Sequence, residues 1–191
     1  IGLAFLLEHM DDTVRTPEDL EERVGLPVLG FVPAMDGVGS RKEGVARRGM
    51  VCALEPNSSA SEAYRNIRTS LFFSAPAQEA KALLVTSGGA GVGKTTTAAN
   101  LALAIAQSGK RVLLVDADLR RPMMHKVFGL DPQRGVSTVL VGEASLDEVI
   151  QKPTTNGEAI RNLDILTAGP KPPNPAELLG CENMRMLLEE A

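Results

Sequence analysis

The run Gly88-Gly89-Ala90-Gly91-Val92-Gly93-Lys94-Thr95 constrains this chain more than any other feature. It fits the phosphate-loop pattern G-x-x-x-x-G-K-[ST] at every fixed position. The flanks agree with it. Ala82-Leu83-Leu84-Val85-Thr86 is an apolar run that reads as a buried strand, and residues 95–108 form an Ala-rich stretch stopped by Gly109 that reads as a long helix. A strand, a glycine loop and a helix in that order make a cradle of backbone N–H groups. Glycines allow the unusual dihedrals and leave no Cβ between backbone and phosphate. The helix start adds partial positive charge. The pattern therefore predicts a nucleoside triphosphate held by Gly88, Gly89, Ala90, Gly91, Val92, Gly93, Lys94, Thr95 and Thr96. Lys94 reaches the β- and γ-phosphates as a point charge, Thr95 offers its hydroxyl to Mg²⁺, and Thr96 bonds the α-phosphate.

A second signal follows. Leu113-Leu114-Val115-Asp116-Ala117-Asp118 is an apolar strand that ends in two carboxylates. In a parallel sheet they lie on the carboxyl edge, beside the phosphate loop. Carboxylates there can hold Mg²⁺ through its waters or accept a proton from an attacking hydroxyl. Asp116 ends the strand and is the first choice for metal and catalysis. Asp118 is the second, with a helix cap as its alternative. Lys94 completes the catalytic set. Arg120 and Arg121 follow directly and either face a phosphoryl group or pair with Asp118. His125 has no partner at ligand spacing and reads as a packing or surface residue.

Composition supports the fold. The chain has 191 residues, 43% hydrophobic but only 3% aromatic, so its core is aliphatic. That suits parallel strands covered by helices. Further strands are expected over residues 28–32, 111–115 and 163–167, and helices over 17–24, 61–73, 122–128, 136–141, 146–151 and 176–190. On the 61–73 helix, Ala63, Ile67 and Leu71 share one face at spacing four, and Pro76 is expected to end the helix. Strands alternating with helices predict an α/β fold, a doubly wound, mostly parallel sheet of P-loop NTPase type. The formal charge of −4 gives no footing for a nucleic-acid partner. Cys52 and Cys181 have no metal or redox spacing and read as buried free thiols. Residues 34–50, rich in Gly and Arg, read as a mobile linker, with anionic lipid headgroups as a second reading of the basic cluster. Residues 1–7 are apolar but too few to cross a bilayer. They are either a buried start or the tail of a membrane helix.

Taken together, these segments resemble the cytoplasmic kinase domain of bacterial tyrosine kinases (BY-kinases), the autokinases of capsule and exopolysaccharide synthesis. The loop with Thr96-Thr97-Ala98-Ala99-Asn100-Leu101-Ala102 matches. So does Leu114-Val115-Asp116-Ala117-Asp118-Leu119-Arg120-Arg121-Pro122, similar to that family's second Walker segment. Glu62-Ala63-Tyr64-Arg65-Asn66-Ile67-Arg68 resembles its E-x-x-R-x-x-R helix, and Pro173-Asn174-Pro175-Ala176-Glu177-Leu178-Leu179 a stretch after its third strand. The resemblance implies ATP as nucleotide, Mg²⁺ as metal, and phosphoryl transfer to a tyrosine hydroxyl with Asp116 and Asp118 taking part. It implies that Glu62, Arg65 and Arg68 contact neighbouring subunits in a homo-oligomeric ring. It favours the membrane-tail reading of residues 1–7, with 8–50 a juxtamembrane segment and linker and 51–191 the kinase domain. That places the protein on the cytoplasmic face of the cell membrane, with the polysaccharide assembly machinery as partner. The family also has a later strand ending in Asp (Walker B) and a tyrosine-rich tail, which this sequence does not reach. Weak or absent autophosphorylation of these residues alone is the expectation. Two other readings stand beside the kinase. A partitioning or division-type ATPase switch would carry a lysine five positions before Lys94, where Gly89 stands. A non-catalytic ATP-sensing regulator is the other.

Overall fold

A computed structural model describes residues 16–35, 41–74 and 82–190. The expected membrane-helix tail over residues 1–7 and the helix stop at Pro76 lie outside them. The first helix, α1 (Pro17–Val24), owes its limits to local chemistry. Thr16 Oγ1 accepts from the Asp19 N–H at 3.1 Å, and Asp19 Oδ2 accepts from the Thr16 N–H at 3.2 Å. At the other end Gly25, at φ 69°, closes the helix in the left-handed region.

Residues 28–32 are not a strand. The stretch lies along the later helix α4 (Ser59–Ser74) with no ladder partner among the described residues, and a Cβ on Gly30 would sit 2.7 Å from Ile67 Cγ1. Within the expected linker, residues 41–49 are instead helical. Helix α2 (Arg41–Gly49) packs on the helices that carry the core, followed by α3 (Val51–Leu54). Its glycines serve close packing. Gly44 and Gly49 are buried, and a Cβ on Gly49 would fall 2.5 Å from Val127 Cγ1. In α4 the buried residues are Ala60, Ser61 and Tyr64. The buried stripe is therefore rotated from the Ala63 face, because α4 turns its Tyr64 side toward the core.

Helix α5 (Lys94–Gln107) is the centre of the fold. Ala99, Asn100, Leu101, Ala102, Leu103, Ala104 and Ala106 are all buried, so it is covered on nearly every side. Strand β1 (Val112–Val115) then pairs in parallel with β4 (Leu163–Leu166), Val112 opposite Leu163 and Val115 opposite Leu166. The pleat divides the core. Val112, Leu114, Leu163 and Ile165 pack with α2 to α5, whereas Leu113, Val115 and Leu166 pack with the helices of the other face. Both faces are covered, as in a doubly wound sheet.

Residues 82–86, expected as a buried strand, have no ladder partner among the described residues. Leu83 and Leu84 are 51% and 84% exposed. Without a hydrogen-bonded neighbour an apolar run cannot be a strand. Between β1 and β4 lie α6 (Met124–Phe128), α7 (Val136–Leu140), α8 (Leu146–Val149) and the hairpin of β2 (Thr154–Thr155) with β3 (Glu158–Ala159). Helix α8 ends before Gln151, which exchanges two 2.8 Å backbone bonds with Ile165 and joins the sheet edge. The expected final helix is two, α9 (Pro175–Leu179) and α10 (Glu182–Glu190), broken at Gly180. The break lets α10 bury Leu187 and donate from Asn183 to the Leu140 carbonyl at 2.8 Å. Cys52 is buried, while Cys181, at that break, is half-buried.

Gly135 packs directly against the backbone that follows β4. A Cβ there would lie 2.0 Å from the Thr167 carbonyl oxygen and 2.6 Å from the Gly169 nitrogen. The neighbouring Val136 N–H donates to that same Thr167 oxygen at 2.8 Å. Gly135→Ala must push backbone from backbone. It is expected to lower stability by about 3 kcal/mol, the upper range for overpacking, as read from urea unfolding midpoints.

Candidate nucleotide site

The phosphate loop leaves residue 87 and enters α5 at Lys94. Gly91 at φ 77° and Gly93 at φ 96° hold left-handed dihedrals that other residues resist. Ser87 Oγ donates to the Gly89 carbonyl at 2.8 Å and tightens the turn. Gly93 stands at the N-cap and offers no side-chain cap. The first backbone bond of the helix is Thr97 N–H to the Gly93 carbonyl at 2.8 Å. The amides of Lys94, Thr95 and Thr96 therefore have no protein acceptor among the described residues. Such orphan donors at a helix start are the groups an anion satisfies. Added Cβ atoms at Gly88, Gly91 and Gly93 would meet open space. The loop is thus exposed and has room for phosphate. Triphosphate oxygens match this donor set, so the residues present fit a nucleotide tail.

The two aspartates receive different environments. Asp116 is buried, and its own N–H donates to the Leu166 carbonyl at 2.9 Å. Oδ1 accepts from the Asp118 N–H at 3.2 Å, and Oδ2 from the N–H groups of Met123 and Met124 at 3.1 and 3.0 Å. Burial pushes its carboxyl above the ordinary value, opposed by those three amides, with the Asp118 charge adding to the rise. Asp116 therefore organises the turn from β1 into α6. Asp118 faces the loop instead. Its Oδ2 lies 3.2 Å from Lys94 Nζ, and its Oδ1 accepts from the Arg121 N–H at 3.0 Å. Desolvation works to raise its carboxyl, but the Arg121 amide and Lys94 outweigh it and hold it below the usual range. The structure thus brings Lys94 and Asp118 together and sets Asp116 one layer behind.

Arg120 and Arg121 are exposed, and Lys94 rather than either guanidinium pairs with Asp118. His125 sits on α6 and is half-buried. Burial, then the Lys126 charge, holds its imidazole below the ordinary value. On α4, Arg65 bonds Glu62 and the Pro56 carbonyl, while Arg68 donates to the Ala104 carbonyl at 2.9 Å. All three therefore stand on one helix, with Glu62 at the surface. Sequence reasoning gave no role to Asn100, which lies in the second turn of α5. A single polar residue inside an otherwise apolar helical stretch was the available signal.

Comparison with known proteins agrees with this geometry. Residues 83–188 match the family described as the CobQ/CobB/MinD/ParA nucleotide binding domain, which is more than half of the chain. The chain is a P-loop nucleotide-binding domain of that family. The tyrosine-protein kinase YwqD of Bacillus subtilis (strain 168) is 44% identical over 153 residues, covering 80% of this chain and 61% of that protein. The tyrosine-protein kinase etk of Escherichia coli (strain K12) is 36% identical over 204 residues, covering 100% of this chain and 27% of that protein. The solved kinase domain of Escherichia coli tyrosine kinase ETK superposes with a TM-score of 0.77 at 35% identity, over 94% of this chain and 69% of that one. The chimerical protein CapA2B2 gives 0.74 at 33% identity, over 92% and 70%. Within the P-loop class, this chain belongs to the bacterial tyrosine-kinase (BY-kinase) domains. It spans less than two thirds of the length of the relatives YwqD and etk.

The two aspartates should separate in a stability measurement. Asp116→Asn turns an NH₂ toward backbone donors in a buried site and is expected to cost about 2 kcal/mol. Asp118→Asn loses a half-exposed pair and is expected to cost about 1 kcal/mol or less. Urea unfolding at neutral pH reads both. Because the folded Asp118 carboxyl lies below 3.8, its contribution is present above that value and is lost as pH falls through the folded one. The difference between wild type and Asp118→Asn should shrink in that direction.

Proposed function

We propose that this domain binds Mg²⁺-ATP and transfers its terminal phosphoryl group to a protein tyrosine hydroxyl. The full protein would be a membrane-associated autokinase of capsule or exopolysaccharide assembly. The observation that carries the reading is the Lys94–Asp118 pair at 3.2 Å across the mouth of the loop. A simple binding loop needs the cation alone. Phosphoryl transfer also needs a carboxylate beside the phosphates, to meet the metal or the incoming hydroxyl.

When bound, Mg²⁺-ATP supplies the phosphoryl group and spreads its charge. The orphan amides of Lys94 to Thr96 and the loop glycines hold the phosphate chain, and Lys94 neutralises its outer end. Thr95 offers its hydroxyl to the metal. Asp118, ionised at neutral pH, accepts the proton of the tyrosine hydroxyl as the new oxygen–phosphorus bond forms and ADP leaves. Asp116 keeps the Asp118 turn in place. It also retains one free acceptor direction of about four, since three amides already occupy the others. That direction is its route to a metal-bound water.

Tyr64 is the one tyrosine in the sequence and is 1% exposed. The acceptor hydroxyl therefore belongs to a tyrosine other than Tyr64. We place Glu62, Arg65 and Arg68 at the contact with a neighbouring subunit, because exposed Glu62 presents a charge whose helix is already braced by Arg65 and Arg68. Among the described residues no helix is long and apolar enough to cross a membrane. Attachment to the cytoplasmic face therefore rests on the resemblance of the N-terminal region. The relatives support the polysaccharide context, one being a putative tyrosine-protein kinase in the cps region of Klebsiella pneumoniae.

Incubation of the full-length protein with Mg²⁺-ATP is expected to yield phosphotyrosine, located by mass spectrometry at residues other than Tyr64. Lys94→Ala is expected to cut the rate by about 100-fold or more, the scale for losing one preorganised charge-stabilising group. Release of inorganic phosphate without any phosphotyrosine would instead assign the ATPase-switch reading.

A further inference from the structure

Asn100 is fully buried at 0% exposure, and its side chain bonds three backbone groups from three places. Oδ1 accepts from the Cys52 N–H of α3 at 3.0 Å. Nδ2 donates to the Arg48 carbonyl of α2 at 2.7 Å and to the Thr96 carbonyl of α5 at 2.9 Å. An apolar residue would pack here as Ala99 and Leu101 do, without the cost of burying an amide. The three bonds satisfy most of what the amide requires. They also reach the site. The peptide between Thr96 and Thr97 is held on both sides, its carbonyl by Asn100 and its N–H by the Gly93 carbonyl at 2.8 Å. An unbroken hydrogen-bonded path thus runs from Cys52 through Asn100 and the 96–97 peptide to the loop glycine. Gln107 bonds the Cys52 carbonyl at 2.8 Å from the far end of α5, but it touches nothing in the loop.

We propose that Asn100 is a positioning residue that couples the seating of residues 41–54 against α5 to phosphate binding at the Gly93–Thr96 turn. The inference rests on the nucleotide-binding reading above. A bound phosphate fixes the first-turn amides and so fixes the Thr96 carbonyl. A fixed carbonyl holds the Asn100 amide group, which keeps Oδ1 aimed at the Cys52 N–H. Binding therefore steadies α3, and a seated α3 favours binding by the same factor, since coupling between sites is reciprocal.

Cys52 is a built-in probe of this seating. It is 1% exposed, and burial pushes its thiol up to about 11 against a bond from Ser61, so it reacts when α3 lifts. Half-buried Cys181, outside this segment, is the reference. In the full-length protein, iodoacetamide labelling of both cysteines is followed by peptide mass spectrometry with and without Mg²⁺-ADP, alongside calorimetry of Mg²⁺-ADP binding. Labelling of Cys52 relative to Cys181 is expected to slow about tenfold with nucleotide, in the range of typical coupling. In Asn100→Ala, labelling is faster in both states, the nucleotide slows it by less than about twofold, and affinity falls by about the same tenfold. A purely structural Asn100 would raise the rate without changing its response to nucleotide, and that result overturns the proposal. So does nucleotide binding to wild type with an unchanged Cys52 rate, a comparison that stands even if the variant does not fold. No binding heat in wild type overturns the nucleotide reading itself, and the coupling with it.

Discussion

The burial of α5 on nearly all sides is the constraint on which the rest depends. A phosphate loop is a weak structural element. Its glycines favour no single conformation, and its working amides must stay unpaired within the protein. Such a loop needs an anchor at its end that does not move. Here the anchor is a helix whose Ala and Leu residues pack against α2, α3, α4 and β1. Alanine allows those neighbours to approach closely and costs little helix propensity. Polar ties then fix the helix lengthwise. Asn100 and Gln107 hold it to residues 48–52, and Arg68 bonds its Ala104 carbonyl. The start of α5 can stay unsatisfied because the remainder is over-determined.

The same division appears in the two aspartates. They are two residues apart, yet strand geometry sends the first inward and the turn sends the second out toward Lys94. Burial without a cation raises Asp116, and its folded value lies above the unfolded one. Its ionised form therefore costs folding stability at neutral pH, and that cost is relieved as pH falls toward the folded value. Three amide bonds compensate, and what they hold in place is the backbone of Asp118 and the start of α6. Asp118 has the opposite balance and stays charged. One carboxylate fixes geometry and its neighbour supplies a charge to the site, an arrangement decided by environment rather than by residue type.

Where a motif specifies a backbone conformation, the sequence was legible. The glycine loop, the helix over residues 17–24 and the strands at β1 and β4 all rest on local rules, and the structure has each of them. Readings failed where tertiary contact overrides composition. Gly44 and Gly49 look like linker residues until Val127 is found against the helix they belong to. Residues 82–86 look like a strand because they are apolar, but strand character belongs to a pair and no partner lies among the described residues. The hairpin at Thr154–Ala159 was missed, although Asn156-Gly157 is its signal: these residues take φ 51° and 83°, the dihedral signs of the favoured two-residue turn. The order of the aspartates could not be read, because it depends on Met123 and Met124 amides supplied by a later turn.

The Lys94–Asp118 pair has a consequence for how such a site operates. A half-exposed ion pair contributes little to stability, about 1 kcal/mol or less, so it is not retained as a brace. Each partner instead keeps the other from facing the loop mouth as a lone charge. In the proposed reaction, entering phosphates would draw Lys94 from one carboxylate to several phosphate oxygens, and Asp118 would lose the cation that held its charge. A carboxylate freed in that way, beside a metal-bearing phosphate chain, is available to metal-bound water or to a hydroxyl proton. In the proposed reaction the nucleotide would thus release the acid group it needs. This is why the pair is an argument for chemistry at the loop, where a permanently buried salt bridge would have argued for structure alone.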